Sequence, residues 1–481
     1  MRLAAILDHT SSTPLHRQIY KQWRDSILTG RFRRGDPVPS TRELALTLEV
    51  SRSTVTEAYS QLLAEGYLET AHGSGTFVCR NLPDELLAVQ RVAKASPLES
   101  PPVRLSRYGA RLKADFSRPR ARAGVINFAP GVPDLPHFPF PLWRRLLMRH
   151  LRTPNHAVFD YAERSGGYRR LCAEIAKYVS RLRAVHCTAE QVIIVNGSQQ
   201  ALDLCARLLL EPGDDVAMEN PGYRGAQRVF SAHGARVHPV AIDEGGIVIR
   251  HLPPSARLVY VTPSHQLPTG VSMTLPRRLE VIAWARERNA VIIEDDYSSE
   301  YRYSGPPLPS LQGMASGAAV IYIGTFSKIL FPGLRLGYIV APPQLAPAFT
   351  RAKWLSDRHT AILEQVALAD FLSEGHLERH VRRMRRLYGL RREALLDSIE
   401  RHFGASATAR GEAAGMHVMV RFDDPRIGER AARNGVQLTS ADEYYLTQPP
   451  GGEFVLGFAC LGERTIRDGI KRLARAIPPA S

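Results

Sequence analysis

Lys328 and Arg335 stand seven residues apart in the stretch IYIGTFSKILFPGLRLGYIVAPP, where Lys328 interrupts an almost uncharged run. Burying an unpaired ammonium is costly, so a lysine between a buried strand and a Pro/Gly bend either snorkels to water or is held for chemistry. Its neighbours Thr325 and Ser327 add two hydroxyls. Two further places carry comparable groups. Ser198 and Gln199 follow VIIVNG and open SQQALDLCARLLL, where a glycine, a hydroxyl and the free N–H groups of a helix start make a phosphate site. Asp295 and Tyr297 follow AVIIE, two residues apart and on one face if the strand continues. Taken singly, these are a helix cap, strand-end solvation and a loop lysine. Taken together they supply an anion cradle, an acid that holds a ring nitrogen protonated, a phenol and an amine that forms an imine.

The elements that must position these groups lie beyond Val125. Five segments, QVIIVNG, DDVAMENPGY, RLVYVTPSHQ, AVIIEDDYSSE and AVIYIGTFS, each follow a helical stretch. That alternation predicts a mainly parallel α/β sheet covered on both faces, with ligands at the carboxyl ends of its strands. All three groups of polar residues fall at such ends. The set matches the needs of pyridoxal 5′-phosphate: a lysine for its aldehyde, a carboxylate for its pyridinium, and hydroxyls with arginine for its phosphate.

The first eighty residues have a different grammar. Ile19, Trp23, Ile27 and Leu28 recur at helical spacing up to Gly30. Ser40 with Glu43 makes a capping box for a short helix through Leu44 and Leu48. After a turn at Glu49 and Val50, Ser51 caps a second helix with an apolar face of Val55, Tyr59, Leu62 and Leu63. GYLET and GSGTFV then predict two short strands around a glycine-rich tip containing Gly73 and Gly75. In a helix-turn-helix the start of the second helix enters the major groove, which places Ser51, Arg52, Ser53 and Thr54 against DNA, with Arg42 on the phosphate backbone. Residues 81–124 are rich in Pro, Ser, Ala and Arg, and read as a basic linker with one short helix.

Composition sets outer bounds. With 481 residues the chain exceeds what one core usually supports, and 44% hydrophobic with 23% charged residues is ordinary for a globular protein. A formal charge of +16 favours a polyanionic partner. Cys79, Cys172, Cys187, Cys205 and Cys460 form neither a CxxC nor a His/Cys cluster, so neither a disulfide framework nor a metal site is expected. No membrane span or leader is evident, and the expected location is the cytoplasm.

PSTRELA, VSRSTV, AYSQLLAEGYL and GSGTFV, in this order and spacing, resemble the GntR-type winged helix-turn-helix over about seventy residues, although Ala71 and His72 stand where members often carry an arginine before the wing glycines. From Val125 onward the chain resembles fold type I aminotransferases, and the fusion is similar to the MocR/GabR-like transcriptional regulators. The resemblance implies a winged helix over 1–80, the linker over 81–124, and over 125–481 an α/β effector domain with a smaller C-terminal α+β subdomain. It implies that Lys328 is the Schiff-base lysine, that Thr325, Ser327, Arg335, Ser198 and Gln199 surround the phosphate, and that Asp295 meets the pyridinium. Tyr297 is then the donor to the ring 3′-oxygen, Tyr223 the aromatic beside the ring, and Tyr161 a phosphate contact from a neighbouring subunit. Asp296 is expected to be a plain strand-end carboxylate, and Arg224 a loop residue or a substitute substrate clamp.

Two positions depart from the enzyme pattern. HQLPTG has Leu267 where aminotransferases usually carry the asparagine of NPTG, and GEFVLGFACL places Val455 where an arginine clamps the substrate carboxylate. Losing a bidentate arginine removes one of the strongest contacts for orienting an amino acid. The expected protein is therefore a homodimeric regulator that binds pyridoxal 5′-phosphate, double-stranded promoter half-sites and a small-molecule effector. A working aminotransferase with a vestigial DNA-binding domain is the alternative, and a DNA-binding protein that has lost its cofactor is the third reading.

Overall fold

The computed structural model describes residues 7–71, 75–82, 103–112, 124–152, 154–161, 166–305, 308–315, 317–411, 414–424 and 426–475. Gly73 and most of the 81–124 segment lie outside the described residues. The chain divides into two compact units, 1–103 and 104–481.

In the smaller unit three helices, α1 (Leu15–Leu28), α2 (Thr41–Leu48) and α3 (Arg52–Ala64), accompany a three-stranded antiparallel sheet. The sheet comprises β1 (Pro37–Val38), β2 (Leu68–Ala71) and β3 (Gly75–Val78) in the order β1-β3-β2. Sequence periodicity anticipates the wing pair but not β1, a two-residue strand defined only by its pairing with β3. Trp23 lies at the centre of the core, stacked on Phe32 at 4.6 Å and edge-on to Tyr59 at 5.8 Å. Each such ring contributes on the order of 1.5–3 kcal/mol by leaving water. The turn between α2 and α3 closes through Glu49 in the left-handed region, φ 55°. The Tyr59 hydroxyl donates to the Pro39 carbonyl at 3.0 Å, fixing α3 against the entry to α2.

The larger unit begins, among its described residues, with a short helix Arg107–Arg111, capped by Ser106. Its strand β4 (Ile126–Asn127) pairs away from the main sheet, with a later short strand. The eight-stranded sheet contains β5 (Val192–Val195), β6 (Asp215–Asn220), β7 (Arg236–Asp243), β8 (Gly246–Ile247), β9 (Ala256–Val261), β10 (Val291–Asp296), β11 (Ala319–Thr325) and β12 (Gly337–Val340). Their order is β5-β12-β11-β10-β9-β6-β7-β8. The pairs from β11 through β7 are parallel, whereas β12 runs antiparallel to both neighbours and β8 closes a hairpin on β7. Central strands such as β9 and β11, and the edge strand β5, are largely apolar on both faces because helices cover both sides. A second, four-stranded antiparallel sheet near the C-terminus packs with the long helix His376–Phe403 and the helix Glu463–Arg475 around its own core. The mainly parallel sheet and smaller α+β subdomain agree with the sequence expectation.

Candidate functional site

A cavity of about 290 Å³ opens at the carboxyl ends of β9, β10 and β11. Nine of the ten residues expected around a cofactor line it: Ser198, Gln199, Tyr223, Asp295, Tyr297, Thr325, Ser327, Lys328 and Arg335. The tenth, Tyr161, is 80% exposed, lies under the Arg358 guanidinium at 5.7 Å, and does not join the cavity of its own chain.

Each wall follows from local structure. Gly197, with φ 87°, turns the chain from β5 into the helix Ser198–Leu209, whose first turn presents N–H groups to the cavity mouth. Arg335 crosses over this turn and donates from Nη2 to the Asn196 carbonyl at 2.7 Å. Thr325 ends β11, and its Oγ1 accepts the Ser327 N–H at 3.2 Å, which bends the strand into the loop carrying Lys328. The Lys328 Nζ donates to the Gly131 carbonyl at 2.7 Å. Gly131 has φ 71°, left-handed backbone that favours glycine, and a Cβ there would sit 2.8 Å from that nitrogen and push the end of the lysine aside.

Asp295 is 4% exposed. Its Oδ2 accepts the Tyr260 hydroxyl at 2.7 Å, while Oδ1 is buried without a hydrogen-bond partner. Burial pushes this carboxyl up to about 6, against the opposing effects of the Tyr260 hydroxyl and the Lys328 ammonium. A buried acceptor of this kind costs free energy until a donor, best a cationic N–H, meets it. Tyr260 was not legible as a partner from its own segment, but β9 and β10 run parallel with Tyr260 opposite Ile293, which places it beside Asp295 two residues on. Below them Glu219 is buried and pushed up to about 7 by desolvation; it accepts the hydroxyl of Thr262, another cavity wall, at 2.7 Å.

Asp296 corrects the reading of a plain strand-end carboxylate. It alternates to the opposite side of β10 and accepts Arg183 Nε at 2.8 Å and the Tyr322 hydroxyl at 2.7 Å. Arg183 also bonds Ser264 and the Leu308 carbonyl, and is itself buried. This pair clamps the base of the Asp295 strand end, and nothing in the spacing of the sequence connects residues so distant.

Val455 is fully buried in a small apolar cluster with Met419 and Ala441, and neither it nor Arg224 is among the residues lining the cavity. Leu267 does line it, so no amide stands at that position.

The smaller unit presents a second set of polar groups. Ser51 caps α3 by accepting the Thr54 N–H at 3.2 Å and lies 2.8 Å from the Ser53 hydroxyl. Arg52 is exposed and donates to Thr41 Oγ1 at 3.3 Å; Arg42, Ser53 and Gly75 are also exposed, and Thr54 is half-buried. The first turn of α3 has no acidic residue, so its helix dipole and Arg52 together favour an anion. Ser40 caps α2 by accepting the Glu43 N–H at 3.2 Å. Among the described residues no helix is long and apolar enough to cross a membrane.

With both sites described, the relationships of the chain can be placed. Residues 15–78 match the GntR family of bacterial regulatory proteins, and residues 123–453 match aminotransferase class I and II. The probable rhizopine catabolism regulatory protein MocR of Rhizobium meliloti is 41% identical over 98% of this chain and 95% of its own length. The HTH-type pyridoxine biosynthesis transcriptional regulator PdxR of Corynebacterium glutamicum is 31% identical over 99% of this chain and 98% of its own. Among solved structures, LysN, the α-aminoadipate aminotransferase of Thermus thermophilus complexed with N-(5′-phosphopyridoxyl)-L-leucine, covers 77% of this chain and 96% of its own, with a TM-score of 0.70 and 30% identity. The architecture is thus that of a DNA-binding head of GntR type joined to an aminotransferase-like body. The chain belongs to the MocR-type family of HTH transcriptional regulators.

Proposed function

We propose that this regulator binds pyridoxal 5′-phosphate in the cavity around Lys328 and couples the state of that site to DNA binding. The observation that carries the reading is the convergence of Lys328, the half-satisfied Asp295 carboxylate and Arg335 over a helix N-terminus in one cavity. The phosphate is held by Ser198, Thr325, Ser327, Arg335 and the first turn of the helix Ser198–Leu209, with Gln199 beside it. The ring is faced by Tyr223 and Tyr297, and its nitrogen by the unpartnered Asp295 oxygen. The bound group supplies a carbonyl for the Lys328 amine and an electron-accepting ring.

The effector is an amine, an amino acid or pyridoxal phosphate itself. The apolar burial of Val455 supports a sensor that holds the cofactor well and handles common α-amino acids poorly. A cytoplasmic homodimer, with Tyr161 reaching a neighbour's site, presents two winged heads to two half-sites, where Arg52, Ser53 and Thr54 meet base edges and phosphates and Arg42 and Gly75 flank them. Spectra and borohydride fixation of the purified protein, with and without a panel of amines, test this together with binding to DNA flanking its coding sequence. Uptake of the cofactor onto Lys328 with slow or absent turnover is the expected result. Rapid multiple-turnover transamination without site-specific DNA binding would establish the enzyme instead.

A further inference from the structure

His417 lines the same cavity and has no part in the cofactor contacts described above. It opens the strand His417–Phe422 of the second sheet, so it reaches the cavity from the C-terminal subdomain rather than from the main sheet. The residue is 1% exposed, and its Nε2 lies 3.1 Å from the Pro268 carbonyl oxygen. A carbonyl oxygen only accepts, so Nε2 must carry the hydrogen. No carboxylate among the described residues pairs with the ring, and burial together with the Lys328 ammonium pushes it down to about 4, which keeps it neutral. A neutral imidazole has one N–H, and Nδ1 is therefore a bare acceptor.

Nδ1 has no hydrogen-bond partner among the described residues, and it is not sealed in the interior as Nε2 of the adjoining His265 is. The two rings lie 4.8 Å apart, and His265 directs its own Nδ1 to the Tyr297 hydroxyl at 2.9 Å. Of this pair only His417 lines the cavity, with one nitrogen tied to Pro268 and the other left for a ligand. Other parts of the lining are poor in donors. Pro130, Leu267 and Pro332 are apolar, and the Gly131 carbonyl loses its donor when the cofactor engages the Lys328 amine. Arg335 is held over the phosphate site by the Asn196 carbonyl. A carboxylate brought beside His417 would meet lone pairs with no free cation, whereas a hydroxyl or amine would meet acceptors.

We infer that His417 is a specificity-determining residue that accepts a hydrogen bond from the effector at Nδ1, so that the site selects a short amine bearing a second donor, a hydroxyl or amino group, over an α-amino acid. The inference rests on the cofactor reading above. A cavity of about 290 Å³ that must also take the cofactor keeps the effector small. His417→Phe keeps a ring in place without an acceptor. His417→Asn returns a carboxamide oxygen near the Nδ1 position.

Two measurements test this. In cofactor-free protein labelled with ¹⁵N-histidine, the signals missing from His417→Phe identify His417; a pyrrole-like Nε2 and a pyridine-like Nδ1 are expected, and a pyrrole-like Nδ1 overturns the inference. Protein loaded with pyridoxal phosphate is then titrated with ethanolamine, ethylamine and glycine, which differ only in the hydroxymethyl, methyl or carboxylate group beside the aminomethyl carbon, with the spectrum of the bound chromophore as readout. Ethanolamine should bind about fivefold tighter than ethylamine, the scale of one neutral hydrogen bond, and glycine more weakly than either. His417→Phe should erase the preference for ethanolamine while leaving ethylamine unmoved, and His417→Asn should restore it. Glycine binding as tightly as ethanolamine, or an undiminished preference in His417→Phe, contradicts the inference. Failure of the protein to take up the cofactor sinks the preceding reading instead, and the nitrogen signals still decide whether His417 offers an acceptor.

Discussion

The α3 entrance and the Lys328 cavity carry their polar groups in opposite ways. At α3 the residues assigned to DNA are mostly exposed, held by one or two local bonds, and almost independent of the core of Trp23 and Tyr59 beneath them. In the cavity Asp295, Tyr297 and Lys328 are partly or wholly buried, and each is fixed by a residue remote in sequence: Tyr260, His265 and Gly131. An interface for a polyanion needs charge that water already solvates, so it costs the fold little. A site that protonates a ring or holds an amine works through desolvation, so function and stability are bound together there.

The sharpest way to break this contrast is at Lys328. Lys328→Ala removes all borohydride-fixable pyridoxyl label while Arg335 and Ser198 still permit weaker, reversible cofactor binding; mass spectrometry of the reduced protein reads this directly, and a surviving lysine adduct would refute the assignment. Next in size, Asp296→Ala leaves the buried Arg183 guanidinium uncompensated, and denaturant unfolding should show a loss of about 3–5 kcal/mol. An unaltered midpoint would mean that the pair does not clamp the strand end.

Asp295→Asn should act in the other direction on stability. The folded carboxyl is raised from the ordinary 3.8 to about 6, so the native state holds the proton more tightly than the unfolded chain. Native stability therefore falls as pH rises from about 4 to about 6, and the full penalty, roughly 3 kcal/mol, persists above that window. Cofactor-free Asp295→Asn, which keeps an oxygen for Tyr260, should be more stable than the unmodified protein at pH 7 and gain nothing below pH 4, while binding the cofactor more weakly. Thermal unfolding of both proteins across this range checks the sign. Smallest in its effect on the fold is Arg52→Ala: stability within about 0.5 kcal/mol, but DNA affinity lowered by about 1–3 kcal/mol on the cognate site if the residue reads a base, or a salt slope flatter by about one counterion if it meets a phosphate.

The same contrast explains what was legible in the sequence. The helices of the winged unit are local objects: their periodicity, the Ser40 and Ser51 caps and the turn at Glu49 sit within a few residues of one another. Eight cavity residues were legible because strand ends in a parallel sheet converge on one edge, and Tyr223 was legible only through the family resemblance. Their supports were not. Tyr260 becomes a partner of Asp295 only through the β9–β10 register, and Arg183 meets Asp296 across 113 residues. Gly131 and His265 matter because loops bring them against Lys328 and Tyr297, and no period of 2 or 3.6 reports such contacts. β1 was hidden for the same reason, since two residues acquire strand character only from β3.

The central claim, that the cavity governs the DNA-binding head, is tested most directly by titrating DNA flanking the coding sequence with cofactor-free protein, cofactor-loaded protein and Lys328→Ala, each with and without candidate amines. The account predicts site-specific binding at least about 10³-fold tighter than to unrelated DNA. It further predicts an affinity that changes on cofactor loading or amine addition, and loss of that change in Lys328→Ala. Equal DNA affinity for all three proteins under every condition would contradict it.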